Sequence, residues 1–433
     1  MSELTETEHQ QDKVIALHPR LAELRWGDAA SKSRFEEFER LVLSLGCPLE
    51  ESVMMNVRRA IPATLIGSGQ AEDIAQRVEI HEVAVVFVDH QLSPIQQRNL
   101  ETAFNCKVID RTGLILEIFG ARAKTREGVM QVELASLNYQ ISRLVRTWTH
   151  LERQRGGVGF MGGPGERQLE LDKRMIRDSI KRIEQDLTKV RQMRATQREG
   201  RKRREVLTVA LVGYTNAGKS TLFNKITNAN AYVADQLFAT LDPTLRQIKL
   251  DNSVTLMMSD TVGFVQELPH ELVNAFRATL EEVIEADLIL HVRDISDPES
   301  PNHKSVVVET LRELGLDGDN APPIVEVLNK IDLAPQVTTT IRDKVDGSRV
   351  ALSAVTGQGM DDLMGLLATW SEQNMVELAL KVPISDGKTL AWCHEHGLVL
   401  HHEHDDEWTN ILVRISPKFQ SLIQDWVVEL DER

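Results

Sequence analysis

The chain has 433 residues, 42% of them hydrophobic and 27% charged, with a formal net charge of −15. That length accommodates about three domains with packed cores, and the acidic balance speaks against binding nucleic acid over the whole surface. Met1 to Lys13 is polar and acidic and lacks the apolar stretch of a signal peptide, while runs such as Val83 to Val88 are far too short for a membrane span.

The first segment, 1–20, reads as disordered because it is polar and charged. A first α/β domain is expected over 21–129. Phe35 to Leu45 has helical periodicity, Ser52 to Val57 suits a strand, and Ile66-Gly67-Ser68-Gly69 is a turn before a helix from Ala71 to Val78. Val83 to Val88 is the clearest buried strand, and Ser93-Pro94 opens a helix to about Phe104, with Ser93 as N-cap and Pro94 in the first helical position.

Over 130–204 the pattern changes. Met130, Leu134, Leu137, Ile141, Leu144, Trp148 and Leu151 recur at spacings of four and three; Leu169, Ile176, Ile180, Ile183, Leu187 and Val190 repeat the pattern. Two such stripes predict a long antiparallel helical hairpin. Its connection, Arg155 to Glu166, is longer and richer in glycine than closure requires. From Arg143 to Glu205 there are 18 Lys and Arg against 9 Asp and Glu, so this acidic protein carries one basic segment. Such a segment either binds phosphate backbones locally or forms a solvated helix laced with ion pairs. Arg153, Arg155, Gly157, Phe160 and Arg167 are the candidate RNA-binding residues of the hairpin tip.

Strands and helices alternate over 205–373, and 374–433 reads as a small α/β module with strands at Leu398 to Val399 and Ile411 to Ile415 around an Asp405-Asp406 turn. The fold class is therefore α/β: an N-terminal α/β domain with a helical hairpin, a central P-loop domain and a small C-terminal domain.

The strand Val206 to Val212 runs into Gly213-Tyr214-Thr215-Asn216-Ala217-Gly218-Lys219-Ser220, the G-x-x-x-x-G-K-S phosphate loop in its required strand–loop–helix context. Its backbone N–H groups curl around phosphates, Lys219 supplies a charge to the β and γ phosphates, and Ser220 contributes to a Mg²⁺ shell. Asn329-Lys330-Ile331-Asp332 follows the strand Ile324 to Leu328 and chooses the base. A buried carboxylate at Asp332 accepts from guanine N1–H and the 2-amino group, two donors adenine lacks. Ser353-Ala354-Val355, after the strand Val350 to Leu352, would support the base from the other side.

Asp260-Thr261-Val262-Gly263 resembles the D-x-x-G element whose Asp holds magnesium through water and whose Gly amide meets the γ-phosphate. Phe238-Ala239-Thr240-Leu241-Asp242 is the second switch candidate, with Thr240, or alternatively Thr244, giving a hydroxyl to the metal. Lys219, Thr240 and Gly263 are the expected catalytic positions. Together these elements resemble a small-GTPase-like G domain, which implies GTP or GDP as ligand with Mg²⁺. Phe264 stands where many such enzymes carry a water-orienting glutamine, so slow intrinsic hydrolysis is expected. Asn216 stands where potassium-stimulated GTPases carry asparagine, which adds K⁺ as a second cation.

With that domain placed, the other half resembles the HflX family of GTPases, within the Obg-HflX-like translational superfamily. The resemblance rests on Ile66 to Gly69, Leu92 to Glu101, Asp110 to Leu116, Gln131 to Ala135 and Gly163 to Glu170, and covers about residues 15 to 375. Gln70 departs from the family's usual lysine. The resemblance implies a cytosolic GTPase that binds the 50S subunit and splits stalled 70S ribosomes under heat stress, its hairpin tip reaching 23S rRNA; no DNA is implied. Two rivals stand beside it: a signalling GTPase associated with a membrane, peripherally, or with a protease and making no ribosome contact, and an RNA-binding or remodelling protein tuned by nucleotide. Cys47, Cys106 and Cys393 make no disulfide framework and fit the reducing cytosol. Cys393 to His396 and His401 to His404 invite a metal reading, but on strands only alternate residues converge, and an exposed polar hairpin explains them better.

Overall fold

Short apolar runs punctuated by helices build three separate sheets. The computed structural model describes residues 12–24, 28–154, 164–204, 207–227, 238, 240, 244–250, 254–266, 280–318, 321–334, 336, 347–373, 375–405, 407–415 and 417–428. The chain divides into two compact units, the first made of 1–191, 234–242 and 265–278, the second of 192–233, 243–264 and 279–433.

The first unit holds a parallel sheet of order β2-β1-β3-β4: β1 (Val14–Leu21), β2 (Leu49–Val57), β3 (Val85–Val88) and β4 (Lys107–Asp110). Helices α1 (Asp28–Leu43), α2 (Ser68–His81), α3 (Pro94–Phe104) and α4 (Arg111–Arg122) connect or follow these strands. The expectation of disorder over 1–20 fails for 14–20, which belong to an inner strand; residues 1–11 lie outside the described residues. Val14-Ile15-Ala16-Leu17 is buried, but the run is short, follows a polar leader and contains Pro19. That proline is tolerated because β3 pairs with β1 only as far as Leu17, leaving Pro19 opposite β2 alone.

The long motifs that define this half hold it together. Gln96, Gln97 and Asn99 donate side-chain amides to the carbonyls of Ile61, Val108 and Ala63. Gln70, the departure from the family pattern, accepts from Gly67 N at 3.0 Å and donates to Asn56 O at 2.9 Å, so it caps α2. Asp110 caps α4 through Gly113 N and accepts the Tyr139 hydroxyl at 2.6 Å. Gly113 is required there, because a Cβ would stand 2.8 Å from Ile109 Cγ2.

Beneath this lies a buried charge cluster. Asp89, with no exposed side-chain surface, binds His18 Nδ1 at 2.6 Å, Arg34 Nε at 3.1 Å and Arg111 Nη1 at 2.7 Å; Arg111 also meets Glu37 at 2.7 Å. Burial alone would raise the Asp89 pKa, but Arg111, the His18 hydrogen bond and Arg34 outweigh it and hold the carboxyl well below its usual range. Arg111 further donates to the carbonyl of Gln266 at 3.3 Å, and Phe119 on the same helix packs edge-on to Phe238 at 4.6 Å between ring centroids.

Two long helices follow, α5 (Arg126–Gln154) and α6 (Pro164–Arg204). α6 starts inside the segment expected as loop, with proline in its first turn, where the missing N–H costs nothing. On α6 the expected stripe Ile176, Ile180, Ile183, Leu187 and Val190 is the less exposed face.

The second unit contains a six-stranded sheet, order β10-β9-β8-β5-β7-β6, parallel except for its edge strand β6. Its strands are β5 (Leu207–Val212), β6 (Thr244–Lys249), β7 (Thr255–Asp260), β8 (Leu288–Asp294), β9 (Ile324–Asn329) and β10 (Arg349–Ala351). Helices α7 (Lys219–Thr227), α8 (Ser300–Glu313) and α9 (Met360–Gln373) accompany it, and Leu222, Phe223, Leu363, Leu367 and Trp370 join its core.

The last sheet is antiparallel, order β12-β13-β11-β14, from β11 (Val376–Pro383), β12 (Leu398–His404), β13 (Trp408–Ile415) and β14 (Val427–Val428) with α10 (Gly387–His396). The two expected strands fall within β12 and β13, while Asp406 of the expected turn lies outside the described residues. Cys393 to His396, read as extended, are instead helical: Asp386 caps α10 by accepting from Thr389 N. Among the described residues, no three His, Cys, Asp or Glu side chains converge to hold a metal ion. No described helix is long and apolar enough to cross a membrane.

Removing Asp89 takes from Arg34 and Arg111 a fully buried carboxylate that both of them contact. Asp89→Ala should therefore cost about 3–5 kcal/mol, read as lost hydrogen-exchange protection in β1 and β3 of the full chain.

Candidate functional site

The apolar strand β5 stops at Val212 because Gly213 to Gly218 turns away from the sheet and Lys219 begins α7. Three residues of this loop take positive φ: Gly213 at 155°, Asn216 at 60° and Gly218 at 90°. Asparagine tolerates that region. Gly218 has no alternative, since a Cβ would stand 2.2 Å from the Asn329 amide nitrogen.

Lys219 is buried, and its Nζ donates to the carbonyls of Gly213 at 3.0 Å and Tyr214 at 2.7 Å. Two of its three donors are thus spent on aiming the group, leaving one for a phosphate oxygen. Burial lowers its pKa to about 8, against the opposing pull of Asp260. Burial, then Arg293, pushes neighbouring His291 on β8 down to about 3, so it adds no charge near neutral pH.

Ser220 Oγ lies 2.7 Å from Asp260 Oδ2, and Asp260 is 3% exposed. A hydroxyl and a carboxylate converging beside the phosphate loop are hard oxygen donors of the kind Mg²⁺ takes. Thr261 is fully buried and donates its hydroxyl to Leu211 O, and Val262 is also buried, so both anchor the D-x-x-G turn. Gly263 lies close over the loop: a Cβ there would be 2.8 Å from Thr215 Cγ2 and 3.2 Å from Lys219 Nζ. Phe264, 1% exposed, joins the loop through its backbone, donating to Gly213 O at 3.1 Å and accepting from Thr215 N at 2.8 Å. Its ring is buried and carries no polar atom that could orient a water.

The base-selecting elements meet through Asn329, which is 2% exposed. Its Nδ2 donates to Ala217 O at 2.8 Å and its Oδ1 accepts from Ala354 N at 3.0 Å, joining the phosphate loop to the Ser353-Ala354 turn. Lys330, at φ 66°, pairs with Asp294 at 2.7 Å. Ile331 is buried in a small cluster with Leu328 and Ala351. Asp332 is exposed rather than buried, at the tip of the 331–333 turn, and Val355 is also exposed. An exposed acceptor is what an incoming base requires.

The structure therefore brings Gly213 to Ser220, Asp260 to Gly263, Asn329 and Ala354 into one unit. Phe238 and Thr240 fall in the other, where Phe238 is 2% exposed and spends its ring on Phe119. Thr244, the alternative hydroxyl, opens β6 in register with Asp260. Ala239, Leu241 and Asp242 lie outside the described residues, as do Arg155, Gly157 and Phe160; Arg153 lies in α5 and Arg167 in α6. Sequence reasoning missed Asp294 and His303. The latter stacks on Tyr214, with ring centroids 3.9 Å apart and planes at 11°. No local pattern marks either, because both act across loops distant in sequence.

Three family models match the chain: GTP-binding GTPase N-terminal over 32–120, GTP-binding GTPase Middle Region over 122–201, and 50S ribosome-binding GTPase over 208–330. A protein named GTPase HflX from Magnetococcus marinus is 46% identical over 424 residues, covering 97% of this chain and 96% of the relative. The GTPase HflX of Escherichia coli K12 is 43% identical, covering 90% of each chain. Among solved structures, the complex of SsGBP with GDP aligns at a TM-score of 0.46 and 23% identity, covering 83% of this chain and 99% of that one.

A buried lysine with a pKa near 8 must hold its proton once phosphates arrive. Between pH 8 and 9, GTP binding should take up a proton, approaching about one per site, and affinity should fall as pH rises. Calorimetry in buffers of different ionisation enthalpy measures both.

Proposed function

The chain belongs to the HflX family of GTPases and hydrolyses GTP; from that premise we propose that it does so on the large ribosomal subunit, using nucleotide state to set its grip. The observation that carries the nucleotide half is the Asn329 bridge, which fixes the phosphate loop and the base-supporting turn as one rigid cradle. Lys219, aimed by two carbonyls, grips the β and γ phosphates. Asn329, Lys330 and Ala354 frame the base, and the Asp332 carboxylate accepts from guanine's two donors. Ser220, and Asp260 through water, would hold Mg²⁺ together with a threonine hydroxyl, for which Thr244 lies in the same unit in register with Asp260; the bound ion would neutralise charge on the phosphates. Asn216 would serve a K⁺ ion. The Gly263 amide meets the γ-phosphate, and Phe264, locked to the loop by its backbone, gives no help to the attacking water. Intrinsic turnover is accordingly slow, and a partner supplies the missing organisation.

That partner is the 50S subunit. The family model matched by 208–330 is described as a 50S ribosome-binding GTPase, and the basic segment from Arg143 to Glu205 supplies phosphate-binding charge in an otherwise acidic protein. Arg153, Arg155 and Arg167 flank the glycine-rich tip; Gly157 admits close backbone approach and Phe160 offers a stacking face for 23S rRNA. The finer reading, splitting of stalled 70S ribosomes under heat stress in the cytosol, follows from the family resemblance. The domain limits 21–129, 130–204, 205–373 and 374–433 divide these tasks.

Calorimetry should give tight GTP and negligible ATP binding, with Asp332→Ala erasing the preference; equal affinities in the wild type would refute the base assignment. In co-sedimentation, the full chain should pellet with 50S subunits in a non-hydrolysable GTP analogue and be released in GDP. Neutralising Arg153, Arg155 and Arg167 should weaken that binding and flatten its salt dependence while GTP affinity stays intact. Equal loss of nucleotide binding would make the hairpin purely structural.

A further inference from the structure

Tyr214 is the second residue of the phosphate loop, and its carbonyl accepts from Ala217 N at 3.3 Å. That carbonyl also receives the Lys219 ammonium at 2.7 Å, and the Tyr214 ring lies face to face with the His303 imidazole, centroids 3.9 Å apart at an interplanar angle of 11°. The ring is thus clamped at the residue whose peptide oxygen aims the phosphate-binding lysine.

The clamp has a rigid base. His303 sits in the first turns of α8, whose Val307 and Leu311 are buried. On either side of it, Ser300 Oγ accepts from Arg293 at 3.3 Å and Lys304 pairs with Glu326, so the start of α8 is tied to β8 and β9. Asp297 Oδ2 lies 3.8 Å from His303 Nδ1. The imidazole is itself only 14% exposed. A planar side chain held this way fixes the tilt of a second ring more narrowly than an aliphatic one, because stacked rings have a preferred geometry beyond mere burial.

We propose that His303 is a positioning residue for GTP binding: by stacking on Tyr214 it sets the carbonyl that aims Lys219 at the nucleotide's phosphates. The proposal rests on reading 213–220 as the phosphate loop. It adds a determinant outside every nucleotide-binding motif of the chain. Because both diphosphate and triphosphate are gripped by this loop, GTP and GDP should be affected alike, and the effect should appear in KM more than in kcat.

The test compares His303→Leu and His303→Gln, which remove the ring, with His303→Phe, which keeps a planar face. All are made in the full chain and checked for folding by circular dichroism. Affinities for GTP and GDP and the steady-state constants are measured for each. The chain has three tyrosines, so 3-fluorotyrosine labelling gives three fluorine resonances, with Tyr214 assigned through Tyr214→Phe. The Leu and Gln variants should each lose about three- to tenfold in affinity for both nucleotides, with kcat within about twofold and the Tyr214 resonance displaced. The Phe variant should stay within about twofold of wild type and leave that resonance near its original position. Wild-type affinity in all three, or equal losses in all three, would overturn the stacking role. Failure of the wild type itself to bind GTP would instead overturn the phosphate-loop reading.

Discussion

One carboxamide, Asn329, holds the nucleotide cradle in shape. Its two ends are committed to Ala217 O and Ala354 N, and the absence of a Cβ at Gly218 gives it room. Phosphate loop and base-supporting turn come from opposite ends of the domain's sequence, and each alone is a loop with unsatisfied backbone groups. A buried amide that satisfies one donor and one acceptor costs little to keep and much to lose. The rest of the site follows from that frame: Lys219 finds its carbonyls, Asp260 reaches Ser220, and Phe264 closes the loop with a backbone bridge.

The first unit uses the same logic with charges. Asp89 stands at the carboxyl end of β3 and gathers three cationic or protonatable partners from β1, α1 and α4. Replacing such a cluster by apolar side chains often leaves a protein no less stable, so its retention is better understood through what Arg111 also touches. Arg111 and Phe119, on one helix, contact the two segments, 234–242 and 265–278, that are interleaved in sequence with the nucleotide domain yet belong to the first unit.

What the sequence disclosed, and what it withheld, divides along physical lines. The phosphate loop was legible because backbone conformation there dictates residue type at fixed spacing: Gly218 cannot be anything larger. The buried strand at Val85–Val88 and the Ser93-Pro94 helix start were legible because periodicity and capping are local. Strand β1 was obscured by Pro19 and a polar leader, since only the register of its neighbours shows that the proline falls beyond the second ladder. The helix over Cys393 to His396 was mistaken for extended chain because alternating histidines mimic strand patterning, whereas the cap at Asp386 lies upstream of the eye-catching residues. The expectation of a buried Asp332 confused the state a ligand creates with the one the chain folds into. Asp294, His303 and the Asp89 cluster leave no local trace, because their partners are brought together only by the fold.

The bond from Arg111 to position 266 ends on a main-chain oxygen. Every amino acid offers that same acceptor, so the contact is indifferent to what side chain residue 266 carries. Variation at that position among natural proteins would say nothing about whether the link persists, and a saturation scan there would pass over it. Only the guanidinium end of this attachment depends on side-chain identity, and covariation methods, which need two variable partners, are blind to it by construction.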